Sequence, residues 1–138
     1  MMKNRGIKAV LLIVLLAGCA MNPINRIDYL DGSGNRYTVF KKKGHCLFQY
    51  DPVTPILSSS GEYSGGEPIQ KRISCETFDR IGEKVEKAVE ETEFHIPNRI
   101  KGSGMIQIEK KSFILKPDSP PRRKLEEALE RIKKKYTK

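Results

Sequence analysis

Tryptophan is absent from this chain, histidine occurs only twice, and the longest uninterrupted aliphatic run, Ala9 to Ala17, is nine residues. Each scarcity excludes something. Nine apolar residues are too few to cross a bilayer, which takes about 20. Two histidines, His45 and His95, without closely spaced acids make a poor zinc site. His45 and Cys46 are adjacent in a strand-like stretch, so their side chains diverge and cannot act as a nucleophile–base pair. There is no phosphate-cradling glycine loop and no nucleophile elbow, and Ser58-Ser59-Ser60 has no base nearby in sequence. Asp31-Gly32-Ser33-Gly34 lacks the alternating ligands and distal Glu of a calcium loop and reads as a turn. The expectation is a protein that is not an enzyme and holds neither metal nor cofactor.

What the chain does have begins at its N-terminus. Lys3, Arg5 and Lys8 form a basic region without acids, followed by the nine-residue apolar run. That is the layout of a secretory signal. Here it closes on Leu16-Ala17-Gly18-Cys19, which resembles the lipobox of bacterial lipoprotein signal peptides. The resemblance implies removal of residues 1–18, acylation of Cys19 and anchorage in a lipid bilayer through it. Residues 19–25 then form a lipidated tether. Ala20 stands where an Asp commonly retains Gram-negative lipoproteins at the inner membrane. An outer-membrane location facing the periplasm is therefore expected.

Charge is unevenly spread. Lysine and arginine number 26 against 17 acids. Residues 119–138 alone hold eight basic residues and three Glu, and the body, 26–118, is close to neutral. The basicity belongs to a tail and not to a folded groove, which argues against nucleic acid as a partner. With Cys19 committed to lipid, Cys46 and Cys75 remain as an even pair in an exported chain, and they read as a disulfide.

Periodicity supplies an α+β fold with a small antiparallel sheet of about five strands. Residues 26–30 and 35–40 flank the Asp31–Gly34 turn as a hairpin, and Lys41–Gly44 leads into a third strand at 45–50. Residues 51–67, rich in Pro, Ser and Gly, form a long loop of the kind that is functional or mobile. A fourth strand is expected at 68–73 and a fifth across 103–115, with a bulge or tight turn near 109–112 to switch faces. Between them, Phe78, Ile81, Val85, Ala88, Val89 and Thr92 recur at helical spacing, predicting the main helix over about 75–93 with Ser74 as its cap. Gly82 in its middle suggests a close neighbour.

Ser119 with Pro120 and Pro121 predicts the start of a second, amphipathic helix over 119–138. Leu125, Leu129 and Ile132 make its apolar stripe, and Glu127–Arg131 and Glu130–Lys134 its supporting pairs. The helix either packs on the body or offers Arg122, Arg123, Lys133, Lys134 and Lys135 to a partner or a membrane surface.

Residues 46–115 also resemble the C-terminal domain of TonB-type proteins. Phe78-Asp79 opens the helix, followed by Ala88-Val89, Phe94, Pro97 and a final apolar stretch from Met105 to Leu115. The helix is longer before Ala88 than in that family, Thr92 stands where a Trp is usual, and Pro97 comes one position late. The resemblance implies a sheet with a helix on one face that binds partners through a strand edge. The functional expectation is a non-catalytic envelope lipoprotein that binds an envelope or periplasmic protein. A periplasmic inhibitor or immunity protein, using the 51–67 loop against a toxin or lytic enzyme, is the alternative.

Overall fold

A computed structural model describes residues 23–137, so the signal segment and Cys19 lie outside the described residues. The elements run β1 (Arg26–Leu30), β2 (Arg36–Lys42), β3 (His45–Asp51), β4 (Ile69–Ile73), α1 (Cys75–Glu90), β5 (Gly104–Ile108), β6 (Lys111–Leu115) and α2 (Pro120–Tyr136). The strands form one antiparallel sheet in the order β4-β3-β2-β1-β5-β6.

The sheet has six strands where the sequence suggested five. The 103–115 stretch is a hairpin, with Ile108 paired to Lys111 across a turn in which Glu109 takes φ 53°. Ile106 therefore faces Phe113 and Gly104 faces Leu115, so the two parities read from the sequence share one face. Lys43 and Gly44, both at positive φ, close the β2–β3 hairpin in the same two-residue manner.

Strand alternation sets Ile27 and Tyr29, Tyr37 and Val39, and Phe48 and Tyr50 on one face, in register across three strands. Both helices cover that face. Phe78, Ile81, Val85 and Ala88 of α1 join Leu125, Leu129 and Ile132 of α2 in the same buried cluster. The Cys46–Cys75 disulfide ties β3 to the first residue of α1, with Cα atoms 5.2 Å apart.

Helix α1 ends at Glu90 and not near residue 93. Glu91 leaves helical geometry, and Thr92–Phe94 forms a single 3₁₀ turn. The cause is tertiary: Phe94 and Ile96 exchange backbone hydrogen bonds with Lys116 and Ile114 beside β6, which a continued helix would forbid. Ser74 caps α1 as expected, its Oγ accepting from the Thr77 N–H at 3.1 Å. Gly82 has no close neighbour after all, since a Cβ built there meets nothing within 4 Å. At α2, Ser119 occupies the cap position but its hydroxyl donates back to the Lys116 carbonyl. Pro121, at the second helical position, has removed one of the two N–H groups a capping oxygen would bond.

Candidate interaction surface

Residues 52–68 join β3 to β4, and their base is fastened. The Gly65 N–H donates to the Val53 carbonyl at 2.9 Å, closing an Ω-shaped loop over 54–64. Asn35, 4 % exposed at the foot of β2, holds that base from the adjoining hairpin. Its Oδ1 accepts from the Val53 N–H at 2.9 Å, and its Nδ2 donates to Tyr63 Oη at 3.0 Å and Asp31 Oδ2 at 2.9 Å. Tyr50 donates from its hydroxyl to the Gly65 carbonyl at 2.6 Å. Gly65 is required there, because a Cβ would stand 2.1 Å from Asn35 Oδ1.

Beyond the clamp the loop is stitched by turns. The Leu57 and Ser58 N–H groups donate to the Thr54 carbonyl at 3.0 Å, and Gly61 N–H to the Ser58 carbonyl at 3.2 Å. Ile56 is 94 % exposed and Leu57 76 % exposed at the tip. The sequence marked this loop as functional or mobile but did not single out these two residues. The available signal was an Ile-Leu pair with no helical or strand period to bury it.

The proposed basic contact residues of α2 divide into two groups. Arg122 and Lys133 are turned toward the sheet, inside a polar seam. Arg122 Nη2 lies 3.1 Å from Glu126 Oε2, and its Nη1 donates to the Pro117 carbonyl at 2.7 Å. Lys133 Nζ donates to Glu130 Oε1 at 3.2 Å and sits 4.5 Å above the Tyr50 ring. Tyr29 and Tyr37 donate from their hydroxyls to Glu126 and Glu130. These tyrosines alternate with Ile27 and Val39 in apolar-looking strands, so nothing local announces their carboxylate partners.

Burial, and then the adjoining carboxylates, push both phenols well above their ordinary pKa. Burial also raises Glu126, against the pull of its Tyr29 bond and the Arg122 charge. For Lys133, burial works to lower the pKa, but the bond and charge of Glu130 and the Tyr50 phenol group outweigh it and leave it raised. Arg122 and Lys133 are thus structural in this fold. Arg123, Lys134 and Lys135 remain exposed on the outer side of α2. The expected pairs Glu127–Arg131 and Glu130–Lys134 give way to Arg122–Glu126 and Lys133–Glu130, because Glu130 is drawn inward by Tyr37.

His95 donates from Nε2 to the Ala88 carbonyl at 2.8 Å and packs on Phe113 with ring centroids 5.7 Å apart. It pins the turn after α1, whereas Cys46 is bonded to Cys75. The outer edge of β6 is partly occupied by residues 94–96. At the other edge, the Arg72 carbonyl of β4 accepts from Tyr136 Oη at 3.3 Å. Both edges of the sheet, which the resemblance to TonB-type domains offered to a partner, are therefore partly engaged.

The sheet face away from the helices centres on Asp28, which takes Thr38 Oγ1 at 2.7 Å and Arg26 Nε at 2.9 Å. Among the described residues, no group of three or more His, Cys, Asp or Glu side chains is arranged to hold a metal ion, and no helix is long and apolar enough to cross a membrane.

No protein-family model matches the chain, and neither a curated protein nor a solved structure matches it.

Proposed function

We propose that the chain is a non-catalytic lipoprotein of the bacterial cell envelope, anchored through acylated Cys19 and presenting a disulfide-stapled module to a protein partner. The observation that carries this reading is the Leu16–Cys19 lipobox closing a basic and then apolar leader. Ala20 directs it to the outer membrane, facing the periplasm. Two or three acyl chains hold such a protein stably, where one would be marginal. Confinement to the membrane raises local concentration, so modest affinity for an envelope partner suffices.

The fold supports a polar arrangement of anchor and contact. The chain enters β1 at Arg26, in the row with Phe40 and Leu47, whereas the 52–68 loop leaves beside Leu30, Arg36 and Asp51 at the opposite end of the strands. A tether at one end thus leaves the loop at the other.

Mass spectrometry of the purified mature protein tests the reading. The expected product begins at Cys19 and carries fatty acid, and Cys19→Ser moves the protein from membrane to soluble fractions. An intact leader, or a mature end without lipid, would overturn it.

The clamped loop favours one alternative, an inhibitor or immunity protein that inserts this loop into a toxin or lytic enzyme. Such a protein forms a tight one-to-one complex with a secreted enzyme, and its deletion leaves envelope structure unchanged. A membrane-complex subunit does the reverse.

A further inference from the structure

We infer that the Ile56–Leu57 tip of the clamped loop docks between α1 and α2 of a second copy of this chain. A second copy is thereby a partner in the protein-binding reading above, with or without the lipid.

The tip is one half of the contact. Its two adjacent aliphatic side chains are 94 % and 76 % exposed. Isolated exposed apolar residues are ordinary, but these two stand together on a projection. The projection is held in shape before any partner arrives. Asn35 and Tyr50 fix its base, and the Thr54 and Ser58 carbonyls fix its crown. A preformed tip loses little conformational entropy on docking. Residues 51–67 contain Asp51, Glu62 and Glu67 and no lysine or arginine, so the tip is apolar and its surroundings anionic.

The other half lies between the helices. Ile73, Ile81, Ala128 and Ile132 floor a cleft there, and Arg80, Lys84, Arg131 and Lys135 stand around it with no acid in its lining. Its volume of about 290 Å³ is at the foot of the range for small-molecule sites, about 300–1,000 Å³, and suits a short side-chain insertion. Arg80 already meets Glu76 at 2.6 Å. Lys84, Arg131 and Lys135 have no carboxylate within ion-pair distance among the described residues.

Charge decides which cleft takes the tip. The second apolar cleft of the chain, beside Val89, Ile108 and Phe113, is rimmed by Glu86, Glu90 and Glu109 against one Lys111 and would repel the loop. The basic rim between α1 and α2 attracts it. Geometry decides whose cleft it is. The loop rejoins the sheet at Ile69, opposite Tyr50, whereas the cleft begins at Ile73, opposite Cys46, at the other end of β4. The clamp holds the tip at the Ile69 end, away from its own cleft. A second copy supplies both halves of the match, so each copy gives one tip and accepts another.

The test places a benzoylphenylalanine photo-crosslinker at Leu57 of the full chain in intact producing cells and maps the adduct by mass spectrometry. The expected adduct joins a second copy within residues 73–84 or 128–136. Two differently tagged copies fix the direction. A crosslinker-bearing copy with Lys84→Glu and Arg131→Glu still reaches a partner copy carrying Ile56→Asp, whereas moving the two cleft substitutions onto that partner abolishes the adduct. In the purified protein, Ile56→Asp weakens self-association by roughly 30-fold or more, as for a central apolar anchor, with circular dichroism unchanged. Analytical ultracentrifugation reads that change. Added salt weakens the unaltered contact, and Glu62→Lys weakens it at low salt and flattens the salt dependence.

No adduct, an adduct to a different protein, to lipid or to another surface of the second copy, or self-association indifferent to Ile56→Asp would each overturn the inference. The two readings fail separately. A mature protein without lipid that still gives the adduct removes the anchor and keeps the contact, and an acylated protein without the adduct does the reverse.

Discussion

The Tyr29 hydroxyl donates a 2.6 Å hydrogen bond to Glu126 Oε1, joining the middle of β1 to the second turn of α2 across 97 residues of sequence. Tyr37 and Glu130 repeat the relationship one strand and one helical turn away. The apolar stripe of α2 supplies adhesion to the sheet, and these two bonds supply register. A helix shifted by one turn would leave a carboxylate facing apolar surface with no donor.

Tyr29→Phe leaves Glu126 with Arg122 as its remaining partner. A hydrogen bond to a charged group is worth about 1.5–3 kcal/mol, and partial solvent access puts the loss near the lower figure. Glu126→Gln keeps an acceptor for Tyr29 and removes a charge that burial disfavours, so it is expected to cost less. Urea unfolding midpoints of the two variants at neutral pH check the order, and equal losses would refute it.

At high pH the same tyrosines limit stability. Their folded pKa values lie well above the ordinary phenol, chiefly through burial. Their contribution is thus complete below the unfolded value near pH ~10 and is lost as pH rises above it. Tyrosinate absorption from Tyr29 and Tyr37 is expected to emerge together with loss of circular dichroism. Early titration of both in a folded protein would contradict this.

Asp28 governs the acid side. Burial works to raise its pKa, but the bonds from Arg26 and Thr38 and the charge of Arg36 outweigh that and leave it lowered. Its contribution is present above the ordinary carboxylate value of about 4 and is lost as pH falls through the lower folded value. Asp28→Asn is expected to flatten the fall in stability on that limb, measured as thermal midpoints across acid pH.

Reducing the Cys46–Cys75 bond reopens a chain segment with a sequence separation of 29. The chain-entropy account gives a loss of roughly 3–4 kcal/mol. The guanidinium midpoint should fall accordingly under reductant, and Cys46→Ala with Cys75→Ala should remove that sensitivity. An unmoved midpoint would show the bond to be dispensable.

Gly82→Ala should stabilise the fold by up to about 1 kcal/mol, the helix-propensity difference. An added methyl meets nothing within 4 Å. Differential scanning calorimetry reads the gain, and a lowered midpoint would mean that the glycine serves an unseen contact.

Local chemistry wrote much of this protein into its sequence. Alternation with turn glycines marked β1 to β4, the 3.6-residue stripe marked α1, and prolines after Ser119 marked where α2 begins. Cysteine parity marked the disulfide. Each of these signals is complete within a few residues or a count. The hairpin at 109–110 was harder to read, since Glu109-Lys110 carries no glycine and only pairing of Ile108 with Lys111 reveals the turn.

Tertiary structure alone decided the insertion of β1 between β2 and β5, the inward turn of Arg122 and Lys133, and the hold of Asn35 on a loop begun 17 residues later. These depend on which faces meet across long stretches of chain. A lysine facing a half-buried carboxylate and a lysine facing water have the same local period, so only the packed sheet distinguishes them.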